Sequence, residues 1–230
     1  MIQSEPVLRL PATVHLRSEV DLGKRWEQLS AITGLVAVVV LVVSAIVAGE
    51  PPDLDAPASE VVAFYTEEDA SILAGSVLAA YGALLFLFFA GRIRRALRAG
   101  EGPVARLSTI AFGGAVLASA GMALFAGLGF TLADAADSID PAATQTLHVL
   151  SIDLFLPLAV GIAALFLATG LGAIRFGGLP RWLGWSALVI GVFAVTPLGF
   201  FAFLAGLLWI AITSIVLFVQ AEDAGASPDR

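Results

Sequence analysis

The sequence predicts an all-α, polytopic bundle of six membrane-spanning helices with both termini in the cytoplasm. Three observations carry that prediction. The first is composition: 59% of the 230 residues are hydrophobic, 13% are charged, and the mean hydropathy is +0.94. A soluble domain is about 45–50% apolar and about 25% charged. The second is pattern. Uncharged runs occupy 31–48, 70–91, 107–133 and 182–221, and a fifth, 141–174, is interrupted only by His148 and Asp153; one span needs about 20 apolar residues. The third is charge sorting. With six spans, all 12 Lys and Arg fall in 1–29, 92–106, 175–181 and 220–230, whereas loops 50–69 and 133–144 hold none of them and ten acids. Positive charge stays cytoplasmic, so the acidic loops face outward. The net charge of −7 therefore describes neither surface.

Taken in order, residues 1–29 read as a polar cytoplasmic arm. Its charged region is too long for a signal peptide and no A-x-A site follows the first apolar run, so the first span, 30–49, stays as an anchor. The outer stretch "PASEVVAFYTEED" (57–69) predicts a short surface helix, with Ser59 as a possible cap and Val61, Val62, Phe64 and Tyr65 as its apolar patch. Spans follow at 71–91, 106–132 and 145–174. The last apolar run, 182–221, would make a single helix of about 60 Å, twice the hydrocarbon thickness. "VTPLGF" (195–200) divides it, because Pro lacks an amide donor and Gly199 permits a turn. The result is a fifth span at 181–196, a sixth at 199–219 and a tail at 220–230. Sixteen residues reach only about 24 Å, so the turn between these two spans is expected to lie below the outer headgroups. Trp26, Trp182 and Trp185 suit the cytoplasmic interface. "RAGEGP" (98–103) and "RFGGLP" (175–180) share R-x-G-x-x-P, with Gly114 and Gly191 at the same offset of 77. A parallel repeat would produce this, but so would two Gly-capped helix ends followed by Pro, which is the favoured reading.

His148, Asp153 and Pro157 form the candidate intramembrane polar site. Counted down from Gln145, Asp153 falls near mid-membrane, where an acid is costly and usually faces the bundle. Pro157 cannot donate to the carbonyl of residue 153, so a carboxyl and a free carbonyl would meet there and could hold a proton, a water or a cation. The plainer alternative is a kink with a neutral, hydrogen-bonded Asp. His148 reads as interfacial, with a pH-sensitive gate as the alternative. A His–Ser–Asp triad within "HVLSID" fails on geometry: at about 100° per residue, Asp153 lies about 140° from His148.

No catalytic set assembles. No cofactor is expected, because the only lysine is Lys24, before the first span, and His148 is the only intramembrane histidine. One His and one Asp on different faces do not make a metal site. The third span carries a small-residue stripe, Ala111, Ala115, Ser119, Ala123 and Gly127, suited to close helix packing and to a homo-oligomer or partner subunit. Arg92, Arg94, Arg95 and Arg98 are placed to meet anionic lipid headgroups. Membrane lipids are the expected partners and nucleic acid is not.

Arginine outnumbers lysine 11 to 1 in a chain rich in Ala and Gly, which points to a GC-rich bacterial genome and a bacterial inner membrane. "VVAFYTEEDASILAGSVLAAYGALLFLFFAGRIRRALR" (61–98) and "LPRWLGWSALVIGVFAVTPLGFFAFLAGLLWIAITSIVLF" (179–218) resemble a group of uncharacterised actinobacterial multi-pass membrane proteins, a domain of unknown function, over roughly 57–219. The resemblance implies six helices and an acid ahead of a Pro early in the fourth, matching Asp153 and Pro157. It implies no activity. Three functions are weighed: a non-enzymatic protein binding a lipid, small molecule or subunit in its bundle; a proton- or cation-coupled transporter using Asp153; and, ranked last, a lipid-acting enzyme.

Overall fold

The computed structural model describes residues 12–226, with side chains described over 29–221 except Val104. The described chain is helical throughout and has no strand. Its helices are α1 (Ala12–Ala48), α2 (Ala58–Glu67), α3 (Asp69–Glu101), α4 (Arg106–Ala135), α5 (Pro141–Asp153), α6 (Phe155–Phe176), α7 (Arg181–Phe193) and α8 (Gly199–Ala226), with one short 3₁₀ turn at Gly102–Val104. Five segments are long and apolar enough to cross a membrane: Leu29–Ala48, Asp69–Glu101, Arg106–Ala135, Pro141–Phe176 and Gly199–Ala221. The sixth expected span, α7, has 13 residues.

Six helices close a ring in the order α1, α3, α4, α6, α7, α8 and back to α1. Small residues set the tightest approaches. At the crossing of α4 and α6, a Cβ on Gly114 would fall on the Leu165 backbone nitrogen, and one on Gly161 would fall on the Ala118 nitrogen. Gly34 of α1 lies against the Phe89 ring, and Gly75 of α3 against Ala48. The ring is joined between α8 and α1 by Ser214. Its hydroxyl donates to the Ala31 carbonyl and accepts the Leu35 amide at 3.0 Å, placing a side chain between the two groups that an α-helix would pair directly. Phe89, Ile93, Leu97, Leu165 and Leu183 are fully buried in the main core.

A second, smaller core lies at the end of the bundle that carries the acidic loops. There α2 and α5 pack on each other and on the ends of α3 and α4, burying Val61, Tyr65, Ile72 and Leu132. At the opposite, basic end, Glu101 accepts the amides of Leu107 and Ser108 and so caps α4 across the intervening turn. Gly177 and Gly178 have φ of 85° and 86°, which an L side chain rarely adopts, and they fold the loop after α6 back onto Ala96.

The elements depart from expectation at four places. Helix α1 begins at Ala12, so part of the expected arm is helical; Trp26 and residues 1–11 lie outside what is described of the side chains or the fold. The N-cap of α2 is Pro57 and makes no side-chain cap bond, so Ser59 is not the cap. The fourth expected span starts at Pro141 rather than 145, because Asp140 accepts the Ala142 amide at 2.8 Å and Pro141 fits the first helical position; it then breaks at Leu154, just ahead of Pro157. Helix α7 stops at Phe193, three residues early. The repeat reading fails on packing: Gly114 packs on α6, the following span, whereas Gly191 packs on Leu167 of α6, the preceding one.

Candidate functional site

His148 is the best-held polar group among the described residues. Its ring is fully buried, with Nε2 at 3.1 Å from the Pro52 carbonyl and Nδ1 at 3.0 Å from the Tyr65 hydroxyl. A carbonyl can only accept, so Nε2 carries a proton, and in the neutral ring Nδ1 accepts from the Tyr65 O–H. Two residues of α5 thus hold the loop before α2, because Gln145 also donates to the Ala56 carbonyl at 2.8 Å. The loop contains Pro51, Pro52 and Pro57, which offer carbonyls but no amides, so side-chain donors are what it needs. Tyr65 meets the His148 ring edge-on at 5.8 Å. Burial pushes the Tyr65 phenol up to about 12, and the neighbouring Ser151 hydroxyl opposes that rise. Ser151 also donates to the His148 carbonyl at 2.7 Å. The cluster is fully packed and works as a latch joining α5, α2 and the loop after α1.

Asp153 does not join it. The expectation that its carboxyl faces the bundle is overturned: Asp153, the last residue of α5, is exposed, as are Leu156 and Val160 at the start of α6. Pro157 marks the break between α5 and α6, as the missing amide requires, but no buried carboxyl meets it. His148, Asp153 and Pro157 are therefore three separate features. Of the hydroxyls within the spans, several are bonded elsewhere, whereas Ser119 Oγ and Thr213 Oγ1 are buried with no hydrogen-bond partner among the described residues. Ser44 donates to Gly75 O at 2.8 Å, Thr109 to Ala105 O at 2.8 Å and Thr131 to Gly127 O at 2.9 Å, while Tyr81 lies exposed on the outside of the ring.

The arginines divide. The Arg94 guanidinium sits 5.1 Å above the Phe112 ring and ties α3 to α4, a contact worth about 0.5–1 kcal/mol at an exposed site. Arg92 is half-buried, and Arg95 and Arg98 are exposed at the basic end, as are Trp182 and Trp185 of α7. The small-residue stripe also divides. Ala111, Ala115 and Ser119 are buried within the chain's own bundle and cannot meet a partner, while Ala123 and Gly127 are exposed. A row at every fourth residue turns about 40° per step, so it cannot stay on one face. The packing face is instead Gly114, Ala118 and Gly121.

Sequence reasoning did not find the feature at the centre of the ring. A small, partly open crevice with about 20 Å³ of free volume is lined by Leu41, Phe86, Met122, Leu158, Phe203 and Ile210, with further apolar neighbours and no polar side chain. Phe166, edge-on to Trp209 at 5.1 Å, lines its deep side, and the Trp209 indole N–H is satisfied by the Leu183 carbonyl at 3.0 Å. The lining comes from five helices, none of them adjacent in a way that periodicity alone would reveal.

Comparison with known proteins finds no match to this chain among family models, curated proteins or solved structures.

Proposed function

We propose that this is a non-enzymatic, multi-pass protein of a bacterial inner membrane that binds a lipid acyl chain among the apolar side chains at the centre of its bundle. In this reading the chain crosses six times with both ends in the cytoplasm, as its charge sorting favours, and belongs with the uncharacterised actinobacterial proteins it resembles. The observation that supports the function is the centre of the ring: the crevice there is lined from five helices without a polar side chain, and its free volume is about 20 Å³, so a chain enters only where these side chains move apart. Between protein and lipid there is no hydrophobic driving force. A chain would be held because it supplies the dispersion contacts that a void lacks.

The transporter alternative is less favoured, because Asp153 is exposed rather than turned into the bundle. Helix α6 alone, at 22 residues, is about 33 Å long and covers the hydrocarbon. Counted up from Arg175, Asp153 then lies at the outer boundary rather than mid-membrane. An acid on the outside of a bundle is tolerable there, and it faces the positive end of the α6 dipole.

A phospholipid carrying a photoreactive group on its acyl chain tests the proposal. Labelling is expected at Met122, Leu158 and Phe203, and Met122→Trp, which fills the crevice, should remove it. Labelling confined to exposed positions such as Val39 and Phe88 would count against a bound chain. The chain has no cysteine, so topology can be read with single replacements. Asp55→Cys and Asp137→Cys should react with an impermeant reagent from outside, and Ala99→Cys should not; the reverse pattern would refute the orientation.

A further inference from the structure

The latch at the acidic end has more hydrogen-bonding capacity than a neutral histidine uses. Four polar groups follow one another there: the Ser151 hydroxyl, the Tyr65 hydroxyl, the His148 ring and the Pro52 carbonyl. Nε2 of His148 lies 3.1 Å from the Pro52 carbonyl, and Nδ1 lies 3.0 Å from the Tyr65 oxygen. Ser151 Oγ donates to the His148 carbonyl at 2.7 Å. The Ser151 hydroxyl also acts on the Tyr65 phenol, so it lies within reach of the Tyr65 oxygen. His148 is fully buried, and Tyr65 and Ser151 are buried beside it.

A hydroxyl offers one donor and two acceptor lone pairs, so protons can fill this series in two ways. With a neutral ring, Nε2–H donates to the Pro52 carbonyl and the Tyr65 O–H donates to Nδ1. With a proton on both nitrogens, Nδ1–H donates to the Tyr65 oxygen, and the Tyr65 O–H turns to a lone pair of Ser151 Oγ. Ser151 keeps its bond to the His148 carbonyl in both cases, and Nε2–H keeps Pro52. One hydroxyl hydrogen turns and no hydrogen bond is lost.

A buried charge also needs opposite charge nearby. The carboxyl groups on the elements around the ring supply it. Glu50, Asp53 and Asp55 lie on the loop, and Glu60 and Glu67 on α2. Glu68 and Asp69 start α3, Asp134 and Asp137 flank the end of α4, and Asp140 and Asp153 bound α5. All are exposed. Both ring nitrogens are taken by Tyr65 and Pro52, so these acids act on the ring through space. No lysine or arginine occurs in 30–91 or 107–174 to oppose a charged ring.

We infer that His148 is a proton-binding site: the ring accepts a proton on Nδ1 as the Tyr65 hydroxyl turns to Ser151, and the acidic-end cap takes up that charge without opening. The proton comes from hydronium, which leaves as water, and the step reverses when the pH rises. The site does not depend on the acyl-chain reading.

The test follows the ring and the cap together, in the full chain in detergent. The chain has two histidines, so His15→Gln leaves His148 as the one imidazole in the ring-nitrogen NMR spectrum. Between about pH 8 and about pH 5, where histidine titrates, both ring nitrogens should become protonated. Amide exchange of α2 and α5, corrected for its intrinsic pH dependence, should stay slow over the same range. In Tyr65→Phe the charged ring has no acceptor for Nδ1–H. The opened cap then binds the proton better than the closed one, so protection should fall about tenfold or more as the pH falls. Ser151→Ala leaves the turned Tyr65 hydroxyl without an acceptor and should act in the same direction; it serves if Tyr65→Phe does not fold. A ring that stays neutral down to about pH 5 overturns the proposal. So does a ring that becomes charged only as the cap opens, or a Tyr65→Phe cap as acid-resistant as its parent.

Discussion

His148→Ala should destabilise the acidic-end cap by about 3 kcal/mol, because two partners lose their hydrogen bonds together. The Pro52 carbonyl and the Tyr65 hydroxyl are each left unsatisfied, at about 1–3 kcal/mol per buried group. Tyr65→Phe removes only one bond and should cost about 1 kcal/mol. The double variant should cost less than the sum, since both changes break one shared contact. Amide exchange of α2 and α5 in detergent is the measurement, because these helices form their own small core and should open before the ring does. Exchange rates that rise equally in α6 and α8 would mean that the latch holds the whole bundle instead. Tyr65 adds a pH signature. Its phenol is pushed from 10.0 to about 12 by burial, so the folded cap retains its proton more strongly than the unfolded chain does. Cap stability is therefore fully present below about 10 and is lost as pH rises towards about 12. In Tyr65→Phe that alkaline loss should vanish.

Gly114→Ala should be among the most damaging single-methyl additions in the chain, at about 3 kcal/mol, the upper end for overpacking. The new Cβ meets the backbone of Leu165 and the Gly161 carbonyl, and backbone cannot rotate away as a side chain can. Gly161→Ala should behave alike from the other side of the same crossing, where it meets Ala118. The adjacent Gly113 is the control. Nothing lies within 4 Å of a Cβ there, so Gly113→Ala should be neutral or stabilise by about 0.5–1 kcal/mol, the helical advantage of alanine. Thermal unfolding of the three variants in one detergent decides the matter. Equal melting temperatures for Gly113→Ala and Gly114→Ala would refute the α4–α6 crossing.

That pair of neighbouring glycines shows how far the sequence could be read. "FGGAV" (112–116) offers two glycines in succession, and nothing local says which one touches another helix. The every-fourth-residue stripe chose Ala111, Ala115 and Ser119 correctly as buried, but missed Gly114, Ala118 and Gly121, which make the closest approach. His148 was legible as an unusual residue and no more. Its partners are 83 and 96 residues away, and hydrogen bonds at that separation leave no trace in local periodicity. Asp153 was expected to face the bundle because 145–174 reads as one span; the structure starts it at the Asp140–Pro141 cap, breaks it at Leu154 and leaves Asp153 exposed.

What the sequence determined by itself is whatever depends on solvent and on short-range geometry. Long apolar runs must be helices, since only a helix satisfies its own backbone without water. Five of them are confirmed as long enough to cross a membrane, and Pro197 with Gly199 marks the division of the last run. The short helix near 57–69 and the break near Pro157 are of the same kind. Tertiary structure alone decided which faces meet. It closed the ring through Ser214, turned Asp153 outward, seated His148 against Tyr65 and Pro52, and left an apolar crevice where five helices fail to fill the centre. The reason is physical: hydrophobicity sorts residues between lipid and water, but in a chain that is apolar on nearly every face it cannot distinguish a neighbour from a lipid. That choice falls to shape, small residues and a few long-range hydrogen bonds.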